Sequence, residues 1–162
     1  GHSAMPFPGN GTFTPVEIVE NRAPLIIAER SLRDDSGGPG EKRGGLGQTI
    51  KVRTRGNATA RLTLRADKTI FPPPGILGGQ PGAAGKLQVD DEEVLPSGPF
   101  ALKPGQLLAM NLPGGGGYGD PAARDRAAIE RDILLGFVSE EGADRNYRLA
   151  ADRAPPRIGS DT

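Results

Sequence analysis

Between Pro113 and Pro121 the chain carries five glycines in six residues, Gly114 to Gly119, with Tyr118 alone between them. Glycine reaches positive φ without steric cost and lets another backbone or a ligand approach closely, but it weakens the interior of a helix or strand. The run is therefore a junction and not an element. The apolar stretch Gln106 to Leu112 leads into it, and a helix-like pattern starting near Ala122 leads out. Asp120 reads as an N-cap and Pro121 as the first helical residue. The chain here must run strand, glycine hinge, helix start.

The same economy of side chains extends over the whole sequence. Of 162 residues, 25 are Gly and 16 are Pro, and hydrophobic content is only 35%. That length fits one domain with a moderate core, abundant loops and some backbone that a partner orders. Residues 14–148 read as this single β-rich domain. Residues 1–13 read as a cloning remnant (Gly1 to Met5) followed by an extended lead-in loop, and residues 149–162 as a disordered tail.

Several function classes are excluded by residue type. Lys and Arg number 20 against 20 Asp and Glu, so no global field favours nucleic acid or a membrane surface. There is no Cys, and the one His is His2. Without a His in the domain, a Ser-His-Asp triad, a His general base and a His metal site cannot be built from this chain. No run reaches the roughly 18 apolar residues a bilayer span needs. No signal peptide is evident, and the expected location is cytoplasmic.

Alternation and punctuation give the elements. Pro15 to Glu20 alternates, with Val16, Ile18 and Glu20 on one side, and is expected as a strand. Leu25 to Arg30 is a second, more buried strand. Gln48 to Arg55 and Ala58 to Ala66 are expected to form a hairpin around Gly56-Asn57. Its apolar face would hold Ile50, Val52, Thr54, Ala60, Leu62 and Leu64. The opposite face would hold Lys51, Arg53, Arg55, Arg61 and Arg65. Such a face is either solvated or, because a row of like charges is destabilising, set beside an anionic partner or the acidic run Asp90 to Glu93. Lys86 to Val89, Phe100 to Leu102 and Gln106 to Leu112 are short strands, with Asp91 to Glu93 and Lys103-Pro104-Gly105 as turns. Ala127, Ile129, Ile133, Leu134 and Phe137 recur at helical spacing, Gly136 ends or bends that helix, and Ser139 caps a shorter one reaching about Tyr147. The expected fold is mainly β, an antiparallel sandwich or partly open barrel, with one or two C-terminal α-helices.

Two further loops are unusual. Arg33 to Gly47 holds six glycines. It is either a solvated loop or an ordered docking loop of nested backbone N–H groups, with Arg43 as an anion-binding side chain. Thr69 to Gly82 is stiffened by its prolines. Its Phe71, Ile76 and Leu77 are costly to leave in water and are expected to be pinned to the core or to a partner. The candidate substrate-binding residues are Arg43, Gly44, Gly45, Gly115, Gly116, Gly117, Tyr118 and Asp120. Asp120 caps a helix or faces a ligand. No catalytic and no metal-ligating residue is assigned. Gly114-x-Gly116-x-x-Gly119 also fits a dinucleotide fingerprint, but the strands before it look antiparallel, no second strand follows, and Asp120 would repel a phosphate from the helix start.

Four stretches in this order resemble the hydantoinase B/oxoprolinase family. They are Thr14-Pro15-Val16-Glu17, the Asp35 to Gly47 pattern D-S-G-G-x-G-x-x-R-G-G-x-G, Phe71-Pro72-Pro73-Pro74-Gly75-Ile76-Leu77-Gly78-Gly79, and Pro113 to Pro121. The resemblance covers roughly residues 14 to 148, the C-terminal part of a B-type polypeptide; Pro74 stands where an aromatic is common. It implies a domain or small subunit of an ATP-dependent enzyme that opens cyclic amides such as hydantoins and 5-oxoproline, or of a related ketone carboxylase. It implies the remainder of a B-type subunit and an A-type ATP-using subunit as partners. ATP and a divalent metal are then expected elsewhere in the complex, with no cofactor in this chain. The alternative is a non-catalytic subunit-assembly module.

Overall fold

The structure, a computed structural model, describes residues 14–94 and 97–147. The expectations for residues 1–13 and 149–162 lie outside them. The first element is a helix, α1 (Val16–Arg22), and not the expected strand. Val16, Val19 and Glu20 are half-buried while Ile18 faces solvent. That i, i+3, i+4 spacing is helical, and six alternating residues were too few to show it. Glu17 in the first turn and Arg22 in the last suit the helix dipole.

Seven strands follow: β1 (Leu25–Leu32), β2 (Gln48–Thr54), β3 (Ala60–Arg65), β4 (Lys86–Val89), β5 (Glu92–Glu93), β6 (Ser97–Leu102) and β7 (Leu107–Asn111). They form two antiparallel sheets, a five-stranded one in the order β1-β2-β7-β4-β5 and a ribbon of β3 with β6. There is no closed barrel. Ala60 and Leu64 of the ribbon share one buried cluster with Leu87, Val89, Leu102 and Leu108, so the core lies between the sheets as in a sandwich.

The expected hairpin of β2 with β3 does not form. β2 pairs β1 and β7, and β3 pairs β6. Gly56 makes the turn at φ +59. The apolar alternation was real, because Val52 and Thr54 are buried on one strand and Ala60 and Leu64 on the other. Alternation says which side of a strand is buried and not which neighbour it has, so consecutive strands can pair elsewhere instead of lying side by side. The cationic row is broken up accordingly. Lys51 pairs with Glu29 across β1 at 2.7 Å, and Arg55 with Glu20 of α1 at 3.7 Å. Hydrogen bonds from Lys51 and then Ser31 lower the carboxyl pKa of Glu29. The acidic run serves β4 instead, with Glu93 against Lys86. Asp90 and Asp91, at φ 50 and 70, make the β4–β5 turn, which leaves Glu92 and Glu93 in a strand.

After β7 the chain reaches Asp120, which caps as expected, but what it caps is a single 3-10 turn, Pro121–Ala123. The α-helix α2 (Arg126–Leu134) starts later under a second cap, Asp125, whose carboxylate accepts from the Ala128 N–H. Gly136 ends it at φ +67. Ser139 caps α3 (Glu140–Tyr147) through the Gly142 N–H. Ile129, Val138, Ala143 and Tyr147 make a second, smaller core between these helices. Leu134, expected on the inner face, is 86% exposed.

Candidate functional site

The three glycine-rich loops come together. Residues 36–47, 73–83 and 113–119 lie side by side and are tied by backbone hydrogen bonds. Gly38 N–H donates to Gly115 O and Gly115 N–H to Gly45 O, both at 2.8 Å. Lys42 and Tyr118 exchange N–H···O bonds at 2.9 Å. On the other side, Ile76 N–H donates to Gly117 O, Gly119 N–H to Ile76 O, and Gly117 N–H to Gln80 O. Gln80 N–H then reaches Pro39 O at 2.7 Å, closing the circuit.

This weave needs glycine because its strands pass closer than side chains permit. A Cβ on Gly44 would collide with Gly115 O, one on Gly116 with Pro74 O, and one on Gly117 with Pro39 O. Each obstacle is a carbonyl held in the weave, not a side chain that can turn away. Fully buried Ser36 fastens one corner, donating to Arg33 O and accepting from Gly47 N–H.

The expected site residues divide into three environments. Gly44, Gly45, Gly115, Gly116 and Gly117 are inside the weave. The N–H groups of Gly38, Glu41, Lys42, Gly44 and Gly47 donate inward to oxygens of the same chain, as do those of Gly114, Gly115, Gly117, Tyr118 and Gly119. A phosphate would have to displace those bonds, so the dinucleotide fingerprint here is a packing motif. Tyr118 is half-exposed on the weave's surface and Asp120 is exposed at its end.

Arg43 is buried and engaged. Its Nε donates to Asp132 Oδ2 at 2.8 Å and its Nη1 to Gly44 O at 2.7 Å, with the guanidinium 5.3 Å from the Phe137 ring centre. Arg124 joins the same carboxylate, Nη2 to Oδ2 at 2.7 Å, while its Nη1 donates to Glu41 O. The Arg124 guanidinium lies 5.6 Å from the centre of the Tyr147 ring. Two arginines and one carboxylate leave an excess positive charge, which two aromatic faces oppose. Burial raises the Tyr147 hydroxyl pKa, against the pull of Arg124, Arg43 and the Gly40 N–H. Asp132, Arg124 and Tyr147 were missed as site-forming residues. A signal was present: Asp132 sits between Ile129 and Ile133 on the apolar side of α2, where a carboxylate must have a buried partner.

Where the weave meets α3, a cleft of about 490 Å³ opens, and Gln80, Asp120, Pro121, Arg145, Asn146 and Tyr147 are among the residues that line it. On the outer surface of the proline loop, Phe71 is 79%, Ile76 62% and Leu77 71% exposed. They are not pinned to this chain's core. Leu77 is also held at φ 50, in the left-handed region. Among the described residues, no group of His, Cys, Asp and Glu side chains could hold a metal ion, so the donors present do not fit a divalent metal. No helix among them is long and apolar enough to cross a membrane.

Comparison with known proteins follows the same outline. The sequence profile described as Hydantoinase B/oxoprolinase matches residues 1–121. The chain is 39% identical over 140 residues to an uncharacterized protein of Methanocaldococcus jannaschii, covering 84% of this chain and 24% of that protein. It is 32% identical over 146 residues to the caprolactamase subunit beta of Pseudomonas jessenii, covering 85% and 25%. The crystal structure of the ATP-dependent caprolactamase from Pseudomonas jessenii superposes with a TM-score of 0.73 at 27% identity, over 86% of this chain and 25% of that one. A nucleotide-free acetone carboxylase shares the fold, with a TM-score of 0.70 at 21% identity, over 85% and 23%. The chain spans about a quarter of the length of these relatives.

Proposed function

We infer the function from one premise: this chain belongs to the hydantoinase B/oxoprolinase family. It acts as a domain or subunit within an ATP-dependent enzyme that opens cyclic amides, or within a related ketone carboxylase. It contributes loop walls and docking surface, while ATP and a divalent metal act elsewhere in the assembly. Its partners are the remainder of a B-type subunit and an A-type, ATP-using subunit. The observation that carries this reading is the exposure of Phe71, Ile76 and Leu77, large apolar side chains standing in water on the proline loop, whose 73–83 part is hydrogen-bonded into the weave. Burying each against a partner would gain about 1.5–3 kcal/mol.

The alternative, a non-catalytic assembly module, is favoured by one observation: the side chain of Arg43 is occupied by Asp132 and Gly44 and not by solvent. Two sets of substitutions in the assembled enzyme separate the readings. Phe71→Ser with Leu77→Ser is expected to weaken co-purification with the A-type partner, and unchanged assembly with unchanged turnover would sink the docking role. Asp120→Asn is expected to lower turnover with assembly intact, and unchanged turnover would leave assembly as the module's role.

A further inference from the structure

The cleft between the weave and α3 gathers polar side chains with hydrogen-bonding capacity to spare. Among the described residues, Gln80, Arg145 and Asn146 make no side-chain hydrogen bond or ion pair. Asp120 spends one oxygen, Oδ1, on the Ala122 N–H at 2.9 Å. The volume of about 490 Å³ falls among those that hold small molecules, roughly 300–1,000 Å³. Two of the elements that line it are tied to the rest of the fold. Gln80 is bonded into the weave through its own N–H and C=O. The start of α3 is fastened to the first loop, because Asp35 accepts from Ser139 N–H at 3.0 Å and from Ser139 Oγ–H at 2.6 Å.

The charges select the ligand. One acid, Asp120, and one guanidinium-bearing residue, Arg145, line the same cleft together with Gln80 and Asn146, which carry neutral amides. A phosphate meets repulsion from Asp120, and an apolar molecule leaves the side chains of Gln80, Arg145 and Asn146 desolvated without partners. A neutral lactam satisfies the amides but neither charge. A linear amino acid satisfies both, its carboxylate on Arg145 and its ammonium on Asp120. We propose that this cleft binds a linear amino acid through Arg145 and Asp120, oriented by Gln80 and Asn146. The assignment rests on the cyclic-amide reading above, since adding water across a lactam C–N bond yields one carboxylate and one amine on the same molecule. The cleft would hold the opened product or an equivalent amino acid.

The test is an amide NMR titration of the 162-residue chain with 6-aminohexanoate, caprolactam, hexanoate and hexylamine. Saturable shifts of the Gln80 and Asn146 side-chain amides are expected with 6-aminohexanoate and not with caprolactam. Hexanoate and hexylamine, with one charge each, are expected to bind about tenfold more weakly. Arg145→Gln and Asp120→Asn should each weaken 6-aminohexanoate by about the same factor. Asparagine caps as well as aspartate, so Asp120→Asn removes the charge and keeps the local structure. No saturable shift, or shifts indifferent to both substitutions, would overturn the site. That outcome leaves the functional reading standing, because docking is judged separately by co-purification and turnover. Binding here with failed docking would reject the functional reading instead and keep the site.

Discussion

Arg43 and Asp132, 89 residues apart, meet as a buried ion pair, Nε to Oδ2 at 2.8 Å, with side chains only 6% and 11% exposed. The pair joins the first glycine loop to α2, and Arg124 binds the same carboxylate oxygen at 2.7 Å. Removing the carboxylate strands two buried guanidiniums. Asp132→Ala is expected to cost about 3 kcal/mol, lowering Tm by about 10 °C for a chain of this size. Urea denaturation measures it, and a loss below about 1 kcal/mol would mean that water reaches the clamp.

The weave predicts a sharp contrast between glycines. Gly116→Ala drives a methyl into Pro74 O and should cost several kcal/mol or prevent folding. Gly56, unlike Gly116, has positive φ but open space around it, so Gly56→Ala should cost about 1 kcal/mol, the strain of the left-handed region alone. Thermal melts of the two variants side by side decide it.

Tyr147 gives a pH dependence whose sign is fixed. Its folded pKa is raised above the ordinary value of 10.0, first by burial. The contribution is therefore complete below pH 10 and is lost as pH rises through the folded pKa. Wild type should lose stability above pH 10 more steeply than Tyr147→Phe, and parallel denaturation curves from pH 8 to 11 for the two proteins would contradict the assignment.

Asp35, at φ 52, caps α3 through Ser139. Asp35→Ala should cost about 1–2 kcal/mol and should speed hydrogen exchange selectively at the start of α3. Exchange that rises evenly across the chain would instead place the loss in global stability.

Phe71→Ser should leave the isolated chain's Tm unchanged within about 2 °C, because the side chain touches little of its own fold. A large drop would place Phe71 in the core and remove it from the proposed docking surface.

How much of this was legible in the sequence depends on which physical signal each part leaves. The antiparallel sheets, the Gly136 stop and the Asp120 and Ser139 caps follow from local chemistry, and local chemistry is written locally. The pairing of β2 with β7, 49 to 111, is not, because an alternating strand says which side is buried and not which neighbour it has. Val16 to Glu20 was too short for period 2 and period 3.6 to part company. The Arg43 to Gly47 stretch was recognisable as special, but the reason, carbonyls of a distant loop at van der Waals range, belongs to the partner strand. Asp132 was the one buried acid whose setting announced it. Arg145 and Asn146 sat on an apparently solvated helix end and gave no local sign at all.

The weave also bears on how the chain folds. Its ties span loops up to about 80 residues apart, such as Gly38 with Gly115, and no pair of loops completes the circuit without the third. Long-range closure of this kind costs chain entropy before its bonds return anything. The three loops therefore order together as one late, cooperative event, after the sheets have drawn their ends into place. They should also open together, so that amide protons in all three loops exchange at one common rate.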